Sequence, residues 1–163
     1  MNFSGSLHQI YFYFIISLFI SISVNLIRIK PLPLVAEKLE AIKNIDQINE
    51  KISNPIIREI GLDIAKNLFQ NNMLFIDARA KQYYDDGHIP QAICNDDLND
   101  LINEIENRIS LDAGFVVYCS DDDCGSSEEL AISLQEQGFM NIFLFKGGWK
   151  QWTENNLPVN SNK

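Results

Sequence analysis

The sequence predicts an α/β domain with a mostly parallel sheet and helices on both faces, preceded by one N-terminal transmembrane helix. Short apolar runs alternate with segments of helical periodicity along the body of the chain. This alternation is typical of a parallel sheet that is covered on both sides. An uncharged apolar segment precedes the body, and the total of 163 residues suits one domain with an appendage.

The apolar segment between residues 10 and 27 is IYFYFIISLFISISVNLI and contains no charged residue. As a helix it would span roughly 27 Å, close to the hydrocarbon core of about 30 Å. No lysine or arginine precedes it and no small-residue cleavage site follows it, which favours an uncleaved anchor over a signal peptide. We therefore predict a single-pass membrane anchor at residues 9–28.

The charges beside the anchor indicate its orientation. Arg28 and Lys30 follow the apolar segment. The positive-inside rule then places the body in the cytoplasm, and a periplasmic body is the alternative.

Residues 29–55 are predicted to be a linker or stalk, and residues 56–160 the folded domain. Leu34 to Ile52 is rich in charge and is predicted as a helix that follows Pro31 and Pro33. Within the domain, the apolar runs predict strands at 56–60, 73–76, 92–94, 115–118 and 141–145. Helices are predicted at 62–69, at 81–85, from a cap at Asp96 or Asp97 to Ile109, at 126–137 and at 148–155.

The predicted helix at 126–137 has its own start signal. Ser126 and Glu129 have the spacing of a capping box. Leu130, Ile132 and Leu134 are expected to face the core.

Cys119 is the main chemical candidate, because it follows the apolar run Gly114 to Tyr118 and precedes a predicted helix. Backbone N–H groups of such a strand-to-helix loop, and the positive end of the helix, stabilise a thiolate. We predict an active-site loop that consists of Ser120, Asp121, Asp122, Asp123, Cys124, Gly125 and Ser126. Cys94 follows an apolar pair and is predicted to be a buried, inert residue.

The composition excludes some functions. The formal net charge is −9, and an acidic chain without a basic stripe would repel nucleic-acid phosphates. Three cysteines are too few for a disulfide scaffold. The mixed ligand set of the loop does not match a structural zinc site, so we predict no metal and no cofactor.

Four segments occur in an order that resembles the rhodanese-like domain family. They are LFIDAR at 74–79, DGHIPQA at 86–92, VVYC at 116–119 and KGGWKQW at 146–152, and LPV at 157–159 also fits. The resemblance implies a five-stranded α/β domain with Cys119 at the sulfur-carrying position. The spacing Tyr-Cys-x4-Cys-x-x-Ser also resembles a membrane-anchored bacterial subset of this family.

The resemblance also implies supporting roles for other residues. Asp77, Arg79, Gly87 and His88 match positions that support the active-site loop in the family. We expect a structural ion pair between Asp77 and Arg79, and a packing role for His88 rather than a role as general base.

The chain departs from the thiosulfate-cleaving members at three points. Gln91 replaces a common glycine, the stretch after Cys119 is about two residues longer, and the loop has three aspartates with no arginine or lysine. An aspartate about 7 Å from the sulfur would raise the free energy of the thiolate by roughly 0.6–2.4 kcal/mol. A helix N-terminus offsets about 0.3–2 kcal/mol in total. We therefore predict that thiosulfate, a dianion, is a poor donor.

The preferred function is sulfane-sulfur transfer through a persulfide on Cys119, with the sulfur donor and the thiol acceptor unknown. One alternative is a rhodanese-fold binding module without turnover, because fold does not fix function. Another is a thiol-disulfide redox site at Cys119 and Cys124, which requires Cα atoms within about 7 Å. The thiol state of Cys119 discriminates among these functions.

Overall fold

A computed structural model of the protein describes residues 3–27, 40–42, 56–121 and 123–162. Five strands form one sheet in the order β1-β2-β5-β4-β3, and every pair of neighbouring strands is parallel. Their bounds are β1 Glu40–Ile42, β2 Ile56–Ile60, β3 Leu74–Asp77, β4 Gly114–Tyr118 and β5 Asn141–Phe145. The predicted parallel α/β fold is confirmed.

Helices cover both faces of this sheet. The body contains α2 Leu62–Gln70, α3 Lys81–Asp86, α4 Leu98–Glu106, α5 Ser126–Glu136 and α6 Gly148–Glu154. One apolar core includes Leu68 of α2 and Trp152 of α6, and the other includes Leu101 of α4 and Leu134 of α5. The strands β3, β4 and β5 contribute side chains to both cores, which explains their mostly apolar sequences.

In the N-terminal unit the structure describes the helix α1, which runs from Phe3 to Ile27. Its segment His8–Ile27 is long and apolar enough to cross a membrane. A signal sequence near the N-terminus meets the same criteria. The helix is therefore a candidate span.

The structure corrects the prediction at the edge of the sheet. Glu40–Ile42 is a strand that pairs in parallel with Arg58–Ile60, whereas a helix was predicted there. The pairing partner is far away in sequence, so local helix propensity did not reveal it. The remaining residues of the predicted stalk helix at 34–52 lie outside the described residues, and the proposed boundaries of the linker and the domain stay predictions.

Two local predictions within the domain are also corrected. The predicted strand at 92–94 is reduced to one bridge between Ile93 and Ile76, although the three residues are buried as expected. The helix predicted to reach Ile109 ends at Glu106, and Asp97 caps its start by accepting hydrogen bonds from the N–H groups of Asn99 and Asp100.

The start of α5 differs from the predicted capping box. The carbonyl of Gly125 accepts the first helical hydrogen bonds, from the N–H groups of Glu128 and Glu129. Gly125 is therefore the N-cap, and Ser126 is already inside the helix. Ile132 was expected in the core but is exposed, because a residue two positions from Leu130 and Leu134 lies on nearly the opposite side of the helix.

Gln91 occupies a backbone conformation that favours glycine, with φ of +65°. A left-handed conformation costs a residue with a Cβ atom roughly 1–2 kcal/mol. Gln91, which replaces a glycine common in the family, therefore destabilises this turn.

We expect Gln91→Gly to raise the free energy of unfolding by about 0.5–1 kcal/mol, because the strain exceeds the entropy that glycine adds to the unfolded chain. Urea unfolding of the two proteins measures the difference. Gln137→Gly is the matched control, because Gln137 is also exposed but has φ of −82° and should gain nothing. An equal response of both positions would contradict the assignment of strain to Gln91.

Candidate active site

Cys119 lies at the carboxyl edge of the sheet, where four strands end in register. Ile60 pairs with Phe145, Phe145 with Tyr118, and Tyr118 with Asp77. Cys119 directly follows Tyr118 and is only 2% exposed. Carboxyl edges of parallel strands are the usual place for sites in such sheets. The strand-to-helix placement predicted for Cys119 is confirmed.

The first turn of α6 holds the backbone of the loop that follows β4. The N–H of Trp149 donates to the carbonyl of Cys119, and the N–H of Lys150 donates to the carbonyl of Ser120, both at 2.8 Å. Gly148 has φ of +52°, and a Cβ atom there would collide with the Cys119 carbonyl oxygen. The loop therefore depends on glycine at position 148.

Cys119 and Cys124 are joined by a disulfide bond, with Cα atoms 6.2 Å apart. The N–H of Cys124 donates to the carbonyl of Asp121 at 3.2 Å, which closes the turn between the cysteines. Cys124 is half-buried, whereas Cys119 is buried. The spacing required for a redox pair is therefore present in this loop.

The other predicted loop residues differ in exposure. Asp121 is half-buried, and Ser120, Asp123, Gly125 and Ser126 are exposed. Asp122 lies outside the described residues. The loop thus keeps an acidic rim around the cysteine pair.

Lysines from outside the loop reduce this negative charge, and no local sequence pattern predicted their proximity to it. Lys150 lines a cavity of about 210 Å³ together with Asp121, Asp123 and residues of α6. Lys146 Nζ lies 3.7 Å from a carboxylate oxygen of Glu128 in the first turn of α5. These lysines follow the loop by twenty residues or more, and only the pairing of β4 with β5 brings them near it.

A buried polar cluster supports the strand that carries Cys119. Arg79 Nη2 and Asp77 Oδ2 form an ion pair at 2.6 Å, and the Tyr118 hydroxyl donates to the same oxygen at 2.7 Å. The hydroxyl in turn accepts from the N–H of Ile89 at 3.2 Å. Burial, together with the charge of Asp77, raises the pKa of Tyr118 well above its ordinary value. The expected ion pair is therefore present.

Arg79 extends this cluster to two other segments. Its Nη2 donates to the carbonyl of Gly87 at 2.7 Å, and its guanidinium lies 4.6 Å from the ring centroid of Trp149. Burial lowers the pKa of Arg79 most strongly, but the hydrogen bond and charge of Asp77 outweigh it, so the net pKa is raised. Arg79 therefore links β3, the turn at Gly87 and the turn that binds Cys119.

Among the residues that the structure describes, no group of three or more His, Cys, Asp or Glu side chains is arranged to hold a metal ion. Residues 62–155, more than half of the chain, match the Rhodanese-like domain family. The chain belongs to the rhodanese-like domain family.

Curated relatives and solved structures agree with this assignment. The chain is 30% identical over 95 residues to the thiosulfate sulfurtransferase GlpE of Pseudomonas syringae pv. syringae. The matched region covers 58% of this chain and 86% of that protein. A crystal structure of a protein from Bacillus halodurans has a TM-score of 0.55 and 21% identity, covering 64% of this chain and 77% of that one. The thiosulfate sulfurtransferase of Pseudomonas aeruginosa has a TM-score of 0.54 and 18% identity, covering 68% of this chain and 21% of that one. The structural matches support the rhodanese-like fold.

His88, in the rhodanese-like segment DGHIPQA, is held by packing and backbone contacts. It is 4% exposed, its ring stacks on Tyr84 with centroids 3.8 Å apart, and its Nδ1 donates to the Tyr84 carbonyl at 2.8 Å. Its backbone N–H donates to the carbonyl of Asn160 and its carbonyl accepts from the Asn160 N–H. These contacts fit the packing role expected for His88.

Cys94 lies outside the active-site loop and differs from Cys119 and Cys124 in its reactivity. It is a free, buried thiol whose Sγ donates to the carbonyl of Arg79 at 3.2 Å. Burial raises the pKa of Cys94 to about 12. At neutral pH it is therefore a protonated, inert side chain.

We expect Tyr118→Phe to lower the free energy of unfolding by about 1–3 kcal/mol, because Asp77 loses a donor and the N–H of Ile89 loses an acceptor in a buried site. The raised pKa of Tyr118 adds a pH dependence. Its stabilising contribution is complete below the unfolded pKa of about 10 and is lost as the pH rises toward the folded-state pKa. Urea unfolding between pH 7 and pH 11 measures both effects.

Tyr83→Phe is the control for this substitution, because Tyr83 is 54% exposed. It should change stability little at neutral pH. Equal unfolding midpoints for the Tyr118 variant and the control would show that the buried cluster contributes nothing.

We expect Gly148→Ala to displace the loop that carries Cys119, because the added Cβ meets the Cys119 carbonyl and φ is positive. In a Cys124→Ser background, the reduced Cys119 should then react faster with iodoacetamide, and the protein should lose roughly 1–2 kcal/mol or more of stability. Gly125→Ala is the matched control in the same loop, since nothing lies within 4 Å of its Cβ position. Unchanged labelling of the Gly148 variant would contradict the dependence of the loop on this glycine.

Proposed function

We propose that this protein is a membrane-tethered sulfurtransferase in which Cys119 carries sulfane sulfur as a persulfide. The observation that carries the proposal is the placement of Cys119 at the carboxyl end of β4, immediately before the loop that leads into α5. It occurs in a chain that is 30% identical over 95 residues to a thiosulfate sulfurtransferase. The same loop supplies the only cysteine pair in the part of the chain that the structure describes.

The reaction has two transfers of one sulfur atom. The Cys119 thiolate attacks the outer sulfur of a donor, the bond between that sulfur and the leaving group breaks, and the leaving group departs with the electron pair. A thiolate acceptor then attacks the outer sulfur of the Cys119 persulfide and releases the Cys119 thiolate. The N-terminus of α5, which follows the loop, would favour the negative sulfur in both steps.

The charges around the loop select the donor. Asp121 and Asp123 border the cavity beside the loop, and Lys150 is the cation among the side chains that line it. The acids oppose a dianion about twice as strongly as a single negative charge at the same distance. We therefore propose a less charged or protein-bound sulfane donor and a thiol acceptor, with thiosulfate a poor donor.

The disulfide favours a second candidate function, a thiol-disulfide redox site at Cys119 and Cys124. A persulfide on Cys119 in protein isolated without reductant supports sulfur transfer, and a disulfide that forms in the absence of a sulfane-sulfur donor supports the redox function. An inert Cys119 thiol would support a rhodanese-fold binding module without turnover. Mass spectrometry of Cys119 in protein taken from its native membrane distinguishes the three.

We expect persulfide formation to disappear in Cys119→Ser and to persist in Cys94→Ser, because Cys94 is protonated and buried. Activity with thiosulfate should be weak or absent in the wild type. Rapid thiosulfate turnover by the wild type would contradict the electrostatic argument and restore thiosulfate as the donor.

Charge variants test the same argument directly. Asn in place of Asp121, Asp122 and Asp123 should raise the rate of Cys119 alkylation at neutral pH, because repulsive charges are removed. Lys150→Met should lower the rate, since a cation beside the acids is lost. Iodoacetamide labelling against pH, with Cys124→Ser in every variant, measures both. Identical curves would mean that the acids point to solvent and do not act on the sulfur.

We propose that α1 is an uncleaved membrane anchor. Removal of residues 1–30 should give a soluble folded domain, because every segment that matches the family lies beyond residue 55. Membrane fractionation with mass analysis of the N-terminus tests this. Full-length uncleaved protein in the soluble fraction would refute the anchor.

The side of the membrane on which the domain lies is also a proposal. Arg28 and Lys30 favour a cytoplasmic domain, whereas a persistent disulfide favours the oxidising periplasm. We retain the cytoplasmic orientation, in which the disulfide is a transient state of the reaction. Protease protection in spheroplasts decides between the two.

A further inference from the structure

Sulfur transfer through Cys119 alone gives the thiol of Cys124 no role. Its sulfur is bonded to Cys119, the residue proposed to carry the persulfide. The bond closes within a loop whose backbone is held at both cysteines, by the Trp149 N–H on the Cys119 carbonyl and by the Cys124 N–H on the Asp121 carbonyl. Cys124 is therefore positioned to reach Cys119 without movement of the sheet or of α5.

We propose that Cys124 is a resolving cysteine that discharges the Cys119 persulfide as hydrosulfide. This inference rests on the proposed persulfide function of Cys119. The Cys124 thiolate attacks Sγ of Cys119, the bond between that Sγ and the outer sulfur breaks, and the outer sulfur leaves as hydrosulfide with the electron pair. The two cysteines are oxidised to the disulfide, and the sulfane sulfur is reduced, so the step needs no other oxidant.

The intramolecular position of Cys124 gives it an advantage over free thiols. A nucleophile tethered by a short loop acts at an effective concentration in the millimolar range or above. Cys119 is buried, so an external thiol must also enter the loop to reach its inner sulfur. Cys124 therefore competes well with small thiols for the loaded Cys119.

The disulfide must then be reduced, and its two sulfurs differ in access. Cys124 is half-buried and Cys119 is buried, so an incoming thiolate reaches Cys124 more easily. Attack on Cys124 makes Cys119 the leaving group, and exchange is faster when the leaving thiolate is stabilised. A second thiol of the reductant then releases Cys124 and leaves the reductant as a disulfide. The partner of this site is therefore a dithiol, either a small protein or a low-molecular-weight compound.

A single-turnover experiment tests the role of Cys124. The full-length protein in detergent is reduced, freed of reductant, and mixed anaerobically with one equivalent of cysteine persulfide. Released hydrosulfide and the intact mass of the protein are followed with time. The wild type should release one hydrosulfide per chain and lose two hydrogens, at least about 100-fold faster than Cys124→Ser releases hydrosulfide. The Cys124→Ser protein should instead retain one added sulfur atom on Cys119.

Two further variants complete the design. Cys119→Ser should neither retain sulfur nor release hydrosulfide, and Cys94→Ser should behave as the wild type. A wild type that keeps a stable persulfide and releases no hydrosulfide would overturn the role of Cys124 while leaving sulfur transfer intact. Disulfide formation without an equivalent of hydrosulfide would overturn it as well. Failure of Cys124→Ser to acquire sulfur would instead overturn the proposed function, and the resolving step with it.

Discussion

The buried contact among Asp77, Arg79 and Tyr118 is the constraint on which the active-site edge depends. A buried carboxylate is costly unless it is paired and hydrogen-bonded, and Asp77 receives bonds from both of the other residues. The same arginine binds the Gly87 carbonyl and lies against Trp149, whose N–H holds the Cys119 carbonyl. A disturbance at Asp77 would therefore reach the cysteine through at most two further residues.

The loop after β4 combines a fixed backbone with an oxidisable cysteine pair. The carbonyls of Cys119 and Ser120 are held by the first turn of α6, and a left-handed glycine allows the close approach of the two segments. The disulfide would make sulfur transfer depend on the redox state of the two cysteines, since Cys119 cannot accept sulfur while it is bonded to Cys124. The proposed cycle of loading, resolution and reduction would give the disulfide a place in turnover.

Much of the fold was predictable because its signals are local. The strands β3, β4 and β5 are apolar over most of their length, and α2 and α4 show an apolar face at helical spacing. The helix start at Gly125 was missed because Ser126 and Glu129 also satisfy a capping motif, and choosing between adjacent caps requires the backbone geometry. The strand Glu40–Ile42 was missed because its partner, β2, is the only feature that distinguishes it from a helix-prone segment.

The sequence by itself determined the parallel α/β class, the candidate span and the position of Cys119 between a strand and a helix. These follow from periodicity, from length and from residue order, all of which act over a few neighbouring residues. Only the tertiary structure decided which distant groups meet at the site. Lys150 lies beside the acidic loop, the N–H of Trp149 donates to the Cys119 carbonyl, and Cys124 bonds to Cys119. Each of these contacts depends on the register of parallel strands or on loop closure, which no local pattern encodes.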